Sequence, residues 1–180
     1  MQLKVELRGV RPKVWRRVLV PANIRLDKLH VVLLRVMGWN GGHLHEFEFA
    51  EGLYGVPDPD CFNEMLADES KVTLKKALGY SATFAWTYDL GDDWSHKVNV
   101  ERIDTVPAEL KLQFPVCLAA AGACPPENVG GAPGYANFLQ AIADPEHLEH
   151  GDAIARLGSS FDPQALNVQE IQERLYEIEL

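Results

Sequence analysis

The sequence predicts an α+β fold: a largely antiparallel mixed sheet built from hairpins, packed with an early helix and a C-terminal group of helices. Three observations carry that expectation. First, Phe84, Trp86, Tyr88 and Leu90, then Trp94, His96, Val98 and Val100, alternate with polar or small residues on two arms either side of Gly91-Asp92-Asp93. Period-two alternation rich in aromatic and β-branched residues marks strands with one buried face. Gly and Asp accept the backbone angles of a tight turn. Second, residues 3–20 repeat the alternation. Third, residues 29–37 and much of the chain after residue 135 carry apolar side chains at helical spacing.

Taken in order, Leu3, Val5 and Leu7 alternate with Lys4, Glu6 and Arg8 in a first strand. Residues 9–12 turn, and Val14 to Val20 form a second, antiparallel strand that Pro21 ends. On it Arg16, Val18 and Val20 share one face, and Trp15, Arg17 and Leu19 the other. Asp27 is placed to cap a helix with an apolar face of Leu29, Val32, Leu33, Val36 and Met37, ended by Gly38. His30 reads as a packed or surface histidine of that helix. After Gly41-Gly42, residues 43–49 read as a strand with His43, His45, Phe47 and Phe49 on one side. Residues 50–70 hold Gly52, Gly55, Pro57 and Pro59 amid Asp58, Asp60, Asp68 and Glu69. They read as a long acidic loop, tacked down by Cys61 and Met65. Thr73 caps a short helix over 74–78.

Beyond Ile103, prolines and glycines mark irregular chain as far as Gly134. Tyr135, Phe138, Leu139 and Ile142 then share a helix face. Asp144-Pro145 is expected to open another helix, running to Leu157 with Gly158 as its C-cap. Asn167-Val-Gln-Glu170 reads as a capping box for a last helix through Ile171, Leu175 and Ile178. The expected organisation is one domain over 1–180. Residues 1–103 are its sheet-rich part with one long helix, and 104–180 an irregular segment followed by helices.

Composition narrows the class. The chain has 180 residues, 47% hydrophobic and 24% charged, ordinary for one globular domain. No apolar run approaches the ~18–20 residues of a membrane span, and the first residues alternate like a strand rather than a leader. No membrane association and a cytoplasmic location are therefore expected. Three cysteines are too few, and odd in number, for a disulfide framework. The net charge is −9, unevenly spread: residues 1–40 hold nine Lys and Arg against Glu6 and Asp27, while the remainder holds eight basic and 24 acidic residues. Such a chain repels a polyanion at long range. Locally, Arg11, Lys13, Arg16 and Arg17 could contact nucleic-acid phosphate, or pair with the acidic remainder of the molecule.

Four segments stand out as motifs. They are Val14-Trp-Arg-Arg17 with Pro21; Leu29-His30 through Gly38-Trp39 to His43-Leu-His-Glu-Phe47; Tyr88-Asp-Leu-Gly-Asp-Asp-Trp-Ser-His96; and Cys117 followed by Cys124-Pro-Pro-Glu-Asn-Val-Gly-Gly131 with Gly134-Tyr135. In this order they resemble the plasmid ORF-three-like proteins first met on a root-inducing plasmid, often labelled transposon passenger or resolvase proteins. The resemblance spans nearly the whole chain. It implies an α+β domain with a largely antiparallel sheet, and no settled biochemical activity. The resolvase label transfers little, because the chain shows no separate DNA-binding domain and no basic C-terminal arm.

The histidines and acids bear the candidate chemistry. His43-Leu-His45 on a strand sends both rings the same way about 7 Å apart, a spacing metal sites use. The same face continues into Phe47 and Phe49, which is also the pattern of histidines bordering a core. With Asp92, Asp93, His96 and Glu127 they make a candidate polar cluster. Within it His43, His45, Asp92 and His96 are candidate ligands for a divalent metal that activates water. The competing reading keeps Asp92 and Asp93 as turn caps and His96 as a satisfied core histidine. Cys117 and Cys124 read as zinc donors, as a nucleophile in the case of Cys124, or as buried thiols. His147 and His150 match no zinc-protease pattern and read as part of an exposed acidic helix. Two functions follow. One is a binding or adaptor module for nucleic acid or an element-encoded protein, working through Arg11, Lys13, Arg16 and Arg17. The alternative is a metal-dependent hydrolase or nuclease built on the His/Asp cluster.

Overall fold

Alternation along the chain becomes an eight-stranded sheet. The computed structural model describes residues 1–57, 65–102, 115–157 and 161–178. Its strands are β1 (Gln2–Leu7), β2 (Trp15–Leu19), β3 (His45–Phe49), β4 (Gly52–Gly55), β5 (Leu66–Asp68), β6 (Thr83–Tyr88), β7 (Trp94–Arg102) and β8 (Val116–Ala121). Its helices are α1 (Leu26–Met37), α2 (Leu74–Leu78), α3 (Gly131–Ala143), α4 (His150–Leu157) and α5 (Val168–Tyr176). The sheet order is β5-β4-β3-β6-β7-β1-β2-β8. Among the described residues only β4 and β5 pair in parallel, so the sheet is largely antiparallel, as expected for α+β.

The two faces follow the period of two. Leu3, Val5, Arg16, Val18, Phe47, Trp86, Tyr88, Trp94, His96 and Val98 are buried on one face. Their neighbours Gln2, Lys4, Glu6, Trp15 and Arg17 stay partly open on the other. The buried face is closed by α1, on which Leu26, Leu29, Val32, Leu33, Leu34, Val36 and Met37 are all buried. Each such side chain contributes about 1.5–3 kcal/mol, against about 1 kcal/mol for a helix cap. Packing therefore decides where α1 starts. The N-cap is Arg25, without a side-chain hydrogen bond, and the expected cap Asp27 lies inside the first turn. There it is held by Arg25 through two bonds of 3.0 and 2.7 Å. Gly38 ends the helix in the left-handed region at φ 113°, its N–H donating to Leu34 O.

Four further expectations need correction. The first arm of the central hairpin stops at Tyr88, and Leu90 is half-exposed in a five-residue turn. Leu90 extends the apolar alternation, but Asp89 takes φ 55° and breaks the strand. The acidic stretch 50–70 contains β4 and β5 at the sheet edge. Met65 there is exposed, and Cys61 lies outside the described residues. The stretch after residue 115 opens with β8 on β2, because Cys117, Ala119, Ala120 and Ala121 can take up a ladder without the bulk that signals a strand. Residues 103–114 lie outside the described residues. Asp144 does not start a helix: it is the C-cap of α3, and its Oδ1 accepts from Glu146 N, so the next helix waits until His150. Its expected C-cap Gly158 is outside the described residues. Asn167 does cap α5, accepting from the N–H groups of Gln169 and Glu170.

Arg16 ties the two layers together. It is 1% exposed. Its Nε donates to Val36 O at 2.7 Å, at the C-terminal end of α1, and its Nη1 donates to Trp15 O and Ala121 O, both at 2.9 Å. Burial lowers its pKa from the ordinary value, but the guanidinium stays a cation at a helix end that favours one. Arg16→Ala strands these carbonyls and is expected to lower stability by about 3 kcal/mol, read as a shifted urea midpoint. Arg17→Ala, on the open face, is expected to leave the midpoint near that of the wild type.

Candidate functional site

Three distant segments meet at one end of the sheet. The β6–β7 turn is held by its own acids: Asp89 Oδ1 accepts from Gly91 N and Asp92 N at 3.1 and 3.3 Å, and Asp93 N donates to Asp89 O at 2.7 Å. Asp89 and Asp93 both sit in the left-handed region, at φ 55° and 53°, which Asp tolerates better than most residues. The segment 124–134 clips onto this turn. Gly130 N donates to Asp92 Oδ2 at 3.1 Å, and a Cβ on Gly131 would run into the Asp92 carbonyl oxygen. Trp39 Nε1 donates to Pro125 O at 3.0 Å and Asn40 N to Glu127 Oε1 at 3.1 Å, so the chain after α1 is joined as well.

The result is a polar notch around His43. Its Nδ1 lies 3.4 Å from Asp89 Oδ2 and its Nε2 3.7 Å from Glu127 Oε2. Side-chain exposures are 32% for His43, 10% for Asp89 and 23% for Glu127. Tyr88 borders the notch, with its ring edge-on to His43 and its hydroxyl donating to Glu127 at 3.2 Å. Burial and then the Glu127 carboxylate push the Tyr88 hydroxyl above its ordinary pKa. It therefore stays a donor.

The rest of the expected cluster goes elsewhere. His45 points along the sheet to a buried carboxylate, donating from Nε2 to Glu69 Oε2 at 2.8 Å. His30 stacks flat on it, with centroids 3.3 Å apart, and accepts from Trp86 Nε1 at Nδ1. His96 is fully buried among Trp39 and Trp86, its Nδ1 donating to Trp86 O at 3.1 Å. Asp92 is the clip to Gly130. The candidate metal ligands His43, His45, Asp92 and His96 are not brought together: His43, two residues before β3, and His45, at its first position, face different carboxylates. Among the described residues no group of three or more His, Cys, Asp or Glu is placed to hold a metal ion.

The cysteines form no donor set there either. Burial pushes the Cys117 and Cys124 thiols up, away from the reactive thiolate. His150 caps backbone instead, contacting Ala141 O through Nδ1 at 2.7 Å, and His147 Nδ1 accepts from Glu149 N in a turn rather than on a helix face.

The basic N-terminal face is also redrawn. Arg16 is buried, because it shares a strand face with Val18 and Val20. Arg17 is bound by Glu101 in a fork at 2.6 and 2.8 Å and lies over Trp15. Lys13 lies 3.6 Å from Glu6, and Arg11 is exposed. The candidate cluster read from the sequence omits Asp89, Tyr88 and Glu69. Asp89 carried a usable signal, as an acid flanking the Gly91 turn; nothing local marked Glu69 as the partner of His45.

A largely antiparallel sheet with α1 packed on its buried face and a histidine–carboxylate notch at one end defines an α+β fold carrying a part-exposed polar cluster. The chain belongs to the plasmid pRiA4b ORF-3-like protein family, whose model matches residues 1–170. It is 40% identical over 176 residues to an uncharacterised protein, y4hQ, of Sinorhizobium fredii, covering 96% of this chain and 89% of that one. It is also similar to the crystal structure of a protein of unknown function from Methanosarcina mazei Go1. That match has a TM-score of 0.84 and 33% identity, over 94% of this chain and 95% of the other. No described helix is long and apolar enough to cross a membrane.

Two outcomes are expected from this geometry. Burial drives the pKa of His30 and of His96 down to about 3, while an unfolded histidine titrates near 6.5. Below pH ~6.5 the unfolded chain therefore binds protons that the folded chain refuses, and stability falls as pH drops toward 3. Each histidine adds up to about 1.4 kcal/mol per pH unit to that slope. Urea melts between pH 7 and pH 4 should show a shallower slope for His96→Leu than for the wild type. Gly131→Ala is expected to lower the melting temperature sharply through its clash with Asp92. Gly151→Ala, with open space around it, is expected to leave the melting temperature unchanged or slightly raised.

Proposed function

We propose that the protein is a binding module for a protein partner and that the His43 notch is its recognition site, taking a Lys or Arg side chain. One observation carries this reading: two carboxylates, Asp89 and Glu127, flank a single histidine at a part-exposed place. A cationic side chain entering there would exchange its water for charge-assisted bonds to both acids. The net charge of −9 favours approach of a basic partner. The notch is built from backbone-anchored turns, so little ordering would be lost on binding.

The His43 environment supports binding over acid–base catalysis. A catalytic base needs one ring nitrogen turned to substrate. Here each ring nitrogen faces a carboxylate, and none of the hydrogen bonds or ion pairs of His43 among the described residues involves a Ser, Thr or Cys. The nucleic-acid version of a binding module has less support, because Arg16 is buried and Arg17 is paired with Glu101.

The test is titration of the ¹⁵N-labelled protein with a short Lys/Arg-rich peptide. The expected result is saturable shifts at Asn40, His43, Asp89 and Glu127, weakened about tenfold in Glu127→Gln. That variant is close in shape and keeps an acceptor for Tyr88 and Asn40. Equal affinity for a Glu-rich peptide, or no loss in Glu127→Gln, contradicts the proposal.

A further inference from the structure

A concave site of the opposite charge lies at the same sheet end. The loop after β1 carries Arg8, Arg11 and Lys13, all exposed. With Val10 they face the first turns of α3, at Ala132 and Tyr135, across a cavity of about 500 Å³. The Gly9 backbone comes so close to α3 that a Cβ on it would lie 3.1 Å from Ala132 Cβ. The cavity is therefore fixed by packing rather than by loose loops. Its one acid, Glu6, is already shared between Lys4 at 3.4 Å and Lys13 at 3.6 Å. Neither the Arg8 nor the Arg11 guanidinium has a carboxylate partner among the described residues, in a chain that elsewhere pairs Arg17 with Glu101 and Arg25 with Asp27. The first turn of α3 carries no acidic residue. Asp92 takes the Gly130 N–H there and leaves the cavity wall to Ala132 and Tyr135.

We infer that this cleft binds the phosphate group of a small phosphate monoester. Three cations against one carboxylate suit a dianion. Two guanidinium forks on one turn can each take two phosphate oxygens. The volume is that of a small-molecule site, and the half-buried Ala132 and exposed Ala136 offer a small apolar wall for the body of the ligand. A polynucleotide fits less well. The cations are confined to one notch, and the rest of the molecule is strongly acidic and repels a long polyanion. The inference is independent of the role given to His43: that notch selects cations, and this one selects anions.

Calorimetric titration at low salt with adenosine 5′-monophosphate, glucose 6-phosphate, inorganic phosphate, adenosine and a single-stranded 20-mer tests it. The expected result is saturable binding of at least one phosphate monoester, competed by inorganic phosphate, with none for adenosine. Arg8→Ala and Arg11→Ala should each weaken it about tenfold with the melting temperature unchanged, since both side chains are exposed. Glu127→Gln should leave it intact. Failure of all three phosphate compounds to bind at up to about 10 mM, unchanged affinity in the Arg8→Ala, Arg11→Ala double variant, or tighter binding of the 20-mer than of either monoester overturns the inference.

Discussion

The close approach of Gly131 to the Asp92 carbonyl is the constraint on which the working end of this protein depends. Only a residue without a side chain fits there, and the adjacent Gly130 N–H completes the joint on Asp92 Oδ2. Once Gly131 is fixed, Glu127 is delivered to the Tyr88 hydroxyl and the Asn40 amide. The first turns of α3 are set against the loop after β1 in the same movement. One backbone contact thus builds the acidic notch on one side and the cationic cleft on the other.

Charge is handled differently inside and outside this frame. In the interior, Arg16 is satisfied by carbonyls rather than by an acid, and His45 and Glu69 satisfy each other. These groups hold layers together: Arg16 joins α1 to β2 and β8, while Glu69 joins the edge-strand region to β3. At the rim, His43, Glu127, Arg8 and Arg11 stay partly or wholly exposed. A polar group in a protein of this size is therefore not a functional residue by type alone. Its burial, and whether its partners saturate it, separate the structural groups from those left free to meet a ligand.

Much of the fold was legible in the sequence because burial leaves a period. Residues 3–7, 14–20, 84–88 and 94–100 alternate, residues 29–37 repeat at helical spacing, and the structure follows both. What was not legible had no period to read. The strand β8 is made of small residues that pack without bulk, β4 and β5 are too short to alternate, and Pro145 resembles a helix start until Asp144 is seen to cap the helix before it. The site was half legible. The turn acids, His43 and Glu127 were visible as unusual residues, but their grouping depends on contacts across 39 to 87 positions. Arg16 shows the reverse. Its alternation with Val18 and Val20 already pointed inward, and its charge alone suggested a surface role.

The most direct test of this account is amide hydrogen exchange at Gly130 in the wild-type protein. If the joint to Asp92 organises the sheet end, the Gly130 amide exchanges with protection comparable to the paired amides of β7. In an Asp92→Ala variant, that protection is lost at Gly130 while β1 and β7 remain protected. Free exchange at Gly130 in the wild type, or protection unchanged by the variant, would contradict it and leave the two notches without a common frame.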